Sequence, residues 1–181
     1  MSHPVTNILL VEDDDEMAGM LADYIERTVK ARVQRVTTAS DAICSSMAEK
    51  PDVVLADVDL PDSDDLELAR ELRRDADCEV ILMTGQPTLG RALGAMRLGV
   101  RDMLAKPFDL SRLGRSLDEA VTVHRERNRE RLRYDRLRRV SSRIIRERRV
   151  LRQRIDLVCR DLVGAYRRLA EKFVDQRESY G

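Results

Sequence analysis

The 181-residue chain has no tryptophan, and aromatic residues make up only 3% of it. A core is still affordable, because 43% of residues are apolar, but it must be built from Leu, Val, Ile, Ala and Met. Only three cysteines occur, Cys44, Cys78 and Cys159, an odd number without metal-type spacing. They argue against disulfides and a zinc site and for a reducing compartment. No apolar run approaches the length of a membrane span, and acids follow the short run Ile8–Val11 at once, unlike a signal peptide. A cytoplasmic protein without a membrane partner is expected.

Net charge is also lacking, at +0 overall, but the balance hides a split. Residues 125–154 carry fourteen arginines against four acids, a net of +10, whereas residues 1–124 carry a net of −10. An acidic N-terminal domain (residues 1–123) followed by an arginine-rich helical extension (124–181) is the expected organisation.

Within the acidic part, short apolar runs rich in β-branched residues alternate with amphipathic stretches. Asn7–Val11, Arg32–Val36, Val53–Ala56, Glu79–Met83 and Asp102–Ala105 read as strands. Met17, Leu21 and Ile25 recur at helical spacing behind a cap at Asp14 or Asp15. Further helices are expected from the lead-in Thr38–Asp41 to about Glu49, from Asp64 or Asp65 through Leu72, from Thr88 to about Leu98, and from Asp109. Such alternation means a parallel sheet covered on both faces. Five units in about 120 residues fit one doubly wound α/β domain of flavodoxin-like order 2-1-3-4-5.

In that order the strand ends converge. Asp57 closes a run buried on both faces, and acids at Glu12 and Asp13 end the neighbouring strand. Thr84 and Lys106 end the fourth and fifth strands. Three carboxylates in one crevice need compensation, which a hard divalent cation such as Mg²⁺ supplies through oxygen ligands. Lys106 adds a mobile positive charge, Thr84 a hydroxyl, and the backbone N–H groups around Gly85 are expected to lie open. A carboxylate nucleophile with these companions is a parts list for phosphoryl transfer to aspartate. Taken singly, each feature also reads as a helix cap, turn or loop.

The stretches around Glu12-Asp13, Asp57, Thr84-Gly85 and Lys106-Pro107-Phe108 resemble the receiver domain of bacterial two-component response regulators, over about residues 5–123. The resemblance implies that Asp57 accepts a phosphoryl group from the phosphohistidine of a sensor histidine kinase or phosphotransfer protein. It implies Mg²⁺ held by Glu12, Asp13 and Asp57 with the main-chain carbonyl of Asp59. It implies that Thr84 and Lys106 contact the phosphoryl oxygens, and that Lys106–Pro107 is cis. One departure is Met103, where the family usually has an aromatic switch residue. Methionine can repack but has no ring to reorient.

Beyond His124, Leu137, Ile144, Leu151, Val158 and Ala165 recur at seven-residue steps, with Ile155, Leu162 and Leu169 as a companion row. Ser141 and Arg148 interrupt it. Two such rows make a coiled-coil seam, and a homodimer through this helix is expected. An amphipathic helix folded back on its own domain is the simpler alternative. The arginines invite a nucleic-acid reading, which is not favoured because they lie all round the helix and Tyr134 is the lone aromatic among them. His124 reads as a solvent-facing residue without the acidic neighbour of a phosphocarrier. The expected whole is a switching module rather than an enzyme, acting on an unidentified output protein. A nucleic-acid-binding regulator and the front part of a longer signalling protein are the alternatives.

Overall fold

The computed structural model describes residues 5–63, 66–74 and 78–178, without the side chains of 150 and 168–178. It contains two compact units that divide after Arg129. The first is built on β1 (Asn7–Val11), α1 (Asp15–Val29), β2 (Arg32–Val36), α2 (Ala39–Glu49), β3 (Val53–Asp57), α3 (Glu67–Arg74), β4 (Glu79–Thr84), α4 (Leu89–Leu98) and β5 (Asp102–Ala105). It is completed by the opening turns of α5 (Leu110–Glu178). Asp64 and Asp65, expected to open the third helix, lie outside the described residues.

All strand pairs are parallel, in the order β2-β1-β3-β4-β5. The central strands are apolar at successive positions because each face of the sheet is covered. Leu9, Val11, Val54, Ala56, Val80 and Leu82 pack with Ala42, Leu68, Leu72 and Ala95 of α2, α3 and α4. Ile8, Leu10, Val53, Leu55, Ile81 and Met83 pack with Leu21 and Ile25 of α1 and Leu113 and Leu117 of α5. Each fully buried Leu or Ile contributes roughly 1.5–3 kcal/mol, so these two layers hold the domain together. Gly114 interrupts the inward face of α5 for a steric reason, since a Cβ there would meet the Tyr24 hydroxyl at 2.7 Å.

Asp14 is the α1 cap, accepting the Met17 N–H at 2.9 Å. Thr38 and Thr88 cap α2 and α4, and Gly99 ends α4 at a φ of +73°. The loop after β3 is pinned by Asp62, which accepts the N–H groups of Ala39 and Ser40 at the start of α2. That contact ties the loop carrying Asp59 to the core and suits the positive end of the α2 dipole.

The N-terminal edge of the sheet is closed by α5. His124 Nε2 lies 2.9 Å from Asp52 Oδ1, and Arg125 donates to the Thr6 hydroxyl at 2.9 Å. Buried Glu79 is held by Arg101 at 2.9 Å and by Arg127. The expectation for His124 is therefore corrected. Its side chain is only 12% exposed and does have an acidic neighbour, supplied by the turn before β3.

The second unit is helical from Glu130 to Glu178. Leu137, Ile144, Leu151, Ile155, Val158 and Leu162 are all more than half exposed. The side chains of Leu169 and Phe173 lie outside those described. No described helix is long and apolar enough to cross a membrane. The three cysteines are reduced, and the buried Cys78 thiol donates to the Leu72 carbonyl.

Candidate functional site

The C-terminal ends of β1, β3, β4 and β5 bring the expected residues together. Strand period puts Val11 into the core and lets the chain leave β1 at Glu12, whose backbone N–H still reaches the Val36 carbonyl at 3.1 Å. The Glu12 side chain is thereby held inside, 1% exposed, while Asp13 faces solvent. Asp57 ends β3 in register with Met83 and is also buried. One carboxylate oxygen from each of Glu12, Asp13 and Asp57 lies within 4.8 Å of the others.

Lys106 enters from the turn after β5, where the Lys106–Pro107 bond is cis. Its Nζ donates to Glu12 Oε2 and to Asp57 Oδ2, each at 2.7 Å. The other oxygen of Asp57 accepts the Asp59 N–H at 2.9 Å. Burial pushes the Glu12 carboxyl above its ordinary range, against the pull of Lys106. Burial draws the Lys106 ammonium down, but its bonds to Asp57 and Glu12 outweigh that and hold it above the usual lysine value. One ammonium thus serves two buried carboxylates with a third beside them. The cluster keeps an excess of negative oxygen donors, which matches the donor set of a hard divalent cation.

Thr84 and Gly85 do not face this cluster freely. Thr84 Oγ1 donates to Asp59 Oδ2 at 3.1 Å, and the Gly85 N–H reaches the same oxygen at 2.7 Å. The N–H of Gly85, expected to be open, is therefore engaged by a side chain. Asp59 is in turn paired with Arg91 of α4 at 2.7 Å. Burial would raise the Asp59 carboxyl, but the bonds from Arg91, Gly85 and Thr84 lower it below the usual range. Sequence reasoning gave Asp59 a role through its carbonyl alone and did not single out Arg91. The only hint was an acid two residues beyond Asp57 and a base in the first turn of α4.

Met103 of β5 lies beside Leu82 of β4 and is half-buried against the core on the α2–α4 face.

Residues 8–118 match the family model for the response regulator receiver domain. The chain belongs to this family. The receiver domain is similar to the KDP operon transcriptional regulatory protein KdpE of Escherichia coli, 30% identical over 120 residues, which are 66% of this chain and 53% of that protein. It is 36% identical over 124 residues to the C4-dicarboxylate transport transcriptional regulatory protein DctD of Pseudomonas aeruginosa, covering 66% of this chain and 26% of that protein. This chain thus spans about half the length of the first relative and about a quarter of the second. The solved signal receiver domain of a Luxo repressor protein from Vibrio parahaemolyticus shares the fold, with a TM-score of 0.65 at 24% identity. That match covers 69% of this chain and 96% of the solved one. The family match ends at residue 118, before the arginine-rich stretch of residues 125–154.

Proposed function

We propose that this receiver domain accepts a phosphoryl group on Asp57 and that the C-terminal helix carries the resulting signal. The observation that supports the first part most is the pairing of one ammonium, Lys106, with two buried carboxylates beside a third, solvent-facing one. In the reaction, an Asp57 carboxylate oxygen attacks the phosphorus of a phosphohistidine, and an O–P bond forms as the N–P bond breaks. The imidazole leaves and takes up a proton from solvent, and the aspartate becomes an acyl phosphate. Lys106 is already at hydrogen-bond distance of Asp57, so it can follow the charge that develops on the transferred oxygens without reorganisation. Glu12 keeps that ammonium on the acceptor side of the cleft. Mg²⁺ fits the donor set of Glu12, Asp13, Asp57 and the Asp59 carbonyl, and when bound it supplies positive charge against the phosphoryl oxygens.

The phosphodonor under this reading is a sensor histidine kinase or phosphotransfer protein. The chain is a switch rather than an enzyme acting on other molecules. The relatives are named as transcriptional regulators, but the likeness stops at the receiver domain, so their output does not carry over. The output here rests on the helix beyond Arg129. Its exposed apolar row at seven-residue steps suits a second copy of the same helix, giving a homodimer. Burying each leucine, isoleucine or valine there contributes roughly 1.5–3 kcal/mol.

Two experiments test the reading. A small-molecule phosphodonor with Mg²⁺ should add one hydroxylamine-labile phosphate, and Asp57→Asn should take up none. Undiminished labelling of that variant would mean that the acceptor is another residue. Sedimentation of the full chain at tens of micromolar should show a dimer that Leu151→Glu with Ile155→Glu returns to monomer. A monomeric parent chain would refute the coiled-coil part alone.

A further inference from the structure

The Thr84 hydroxyl has one proton to donate and two lone pairs to offer. All three are in use. The proton goes to Asp59 Oδ2 at 3.1 Å, while the Gln86 N–H at 3.1 Å and Arg91 Nη1 at 3.0 Å point at the oxygen. Arg91 also reaches Asp59 Oδ1 at 2.7 Å and the Gln86 carbonyl at 3.3 Å. The carboxylate of Asp59 further accepts the Gly85 N–H at 2.7 Å. Asp59 therefore collects three donors from the end of β4 and the start of α4, and its own N–H is bound to Asp57 Oδ1. The hydroxyl expected to serve a phosphoryl group is committed elsewhere, and so is the first free backbone N–H after it.

We propose that Asp59 and Arg91 form a latch that holds the Thr84 hydroxyl and the Gly85 N–H away from Asp57 until a phosphoryl group outcompetes the Asp59 carboxylate. This rests on Asp57 being the phosphoacceptor. A charge-assisted bond to carboxylate is stronger than one between neutral groups, so the latch sets a threshold on switching. A phosphoryl group offers three anionic oxygens in place of one carboxylate, which is enough to win the donors. Because Arg91 sits in the first turn of α4, release of Thr84 removes one of the contacts that fix that turn. Asp59 and Arg91 are positioning residues here, since they act through Thr84 and Gly85 rather than on the transferred group.

The test is a calorimetric titration of the full chain with beryllium fluoride, a phosphoryl mimic, at saturating Mg²⁺. Asp59→Ala keeps the backbone carbonyl and removes the competing carboxylate, so it should bind the mimic about tenfold more tightly than the parent. Thr84→Ser keeps the hydroxyl, so Asp59→Ala should give the same gain in that background. In the Thr84→Ala background the gain should fall to about the contribution of the Gly85 N–H, roughly threefold or less. Thermal melts of each variant establish that it is folded. An equal gain in the Thr84→Ala background would mean that Asp59 acts by direct repulsion, and no gain at all would mean that it does not compete. Either result overturns the latch and leaves the phosphoacceptor reading standing. A parent chain that binds no mimic with Mg²⁺ overturns both.

Discussion

The two ends of the same sheet handle charge in opposite ways. At the C-terminal edge, Glu12 and Asp57 share the single ammonium of Lys106, and the carboxylate of Asp13 stands beside them. At the N-terminal edge the acids are outnumbered or matched. Glu79 has two guanidinium groups, and Asp52 has His124 together with the Asn7 N–H. The first edge is under-compensated, which under the proposed function is what lets it admit a cation and, after it, a phosphoryl group. The second is saturated and gains nothing from a ligand. Burial is the same at both ends, since Glu12 and Glu79 are each 1% exposed. What separates a binding edge from a holding edge is the partner count.

The largest effect should come from breaking the saturated edge. Glu79→Gln leaves Arg101 and Arg127 facing each other over a neutral amide. Removing one partner of a fully buried pair costs roughly 3–5 kcal/mol, and the partial exposure of both arginines lowers this to about 2 kcal/mol. Urea denaturation should show that loss, while Mg²⁺ affinity stays as in the parent. A loss of metal binding in this variant would mean that the two edges are not separate.

Asp13→Asn probes the other edge with the opposite expectation. Metal-free stability should be unchanged or slightly higher, because like charges in the cleft repel. Mg²⁺ affinity should fall by about tenfold, as expected when a solvent-facing carboxylate ligand becomes an amide. Equal destabilisation of the metal-free protein would show that Asp13 serves the fold instead.

Acid sharpens the comparison further. Burial would raise the Asp52 carboxyl, but the bonds from His124 and Asn7 hold it below its ordinary value of 3.8. A depressed carboxyl adds stability that is fully present above the unfolded value and is lost as pH falls through the folded one. Asp52→Asn should therefore be less stable than the parent at pH 7 by about 1 kcal/mol, with the gap closing as pH drops well below 3.8. A constant gap across that range would assign the loss to packing. Smallest of all should be Met103→Tyr, which at a half-buried edge-strand position should change the affinity for a phosphoryl mimic by no more than about twofold.

Much of the binding edge was readable in the sequence because each of its residues terminates an apolar run. Glu12, Asp57, Thr84 and Lys106 are where strands stop, and parallel topology then forces them into one crevice. Met103 was noticed for a residue it replaces rather than for any pattern of its own. The holding edge was not readable, for the same physical reason in reverse. Arg127 and Glu79 are 48 residues apart, and Arg125 and Thr6 are 119 apart. None ends a periodic stretch, and on a helix with fourteen arginines in thirty residues no single one stands out. His124 looked solvent-facing because its acidic partner comes from before β3, far away in sequence. Asp59 was masked by the more conspicuous acid two positions earlier. Its side-chain partners arrive from the end of β4 and the first turn of α4, which only the folded chain brings near.

The closure of the N-terminal edge bears on where this domain stops. The match to the family model ends at residue 118, but Thr6, Asp52 and Glu79 receive their partners from residues 124, 125 and 127. Those three anchor points lie at the starts of the strands whose far ends carry Glu12, Asp57 and Thr84. Two more helical turns are thus owed to the sheet before α5 is free for anything else. A recombinant piece cut at the limit of family likeness would keep every residue of the binding edge and still lack the far-end supports of the strands that present them. A graft of this helix onto another receiver domain would need matching acceptors at the same strand starts, or the join would carry three unanswered polar groups.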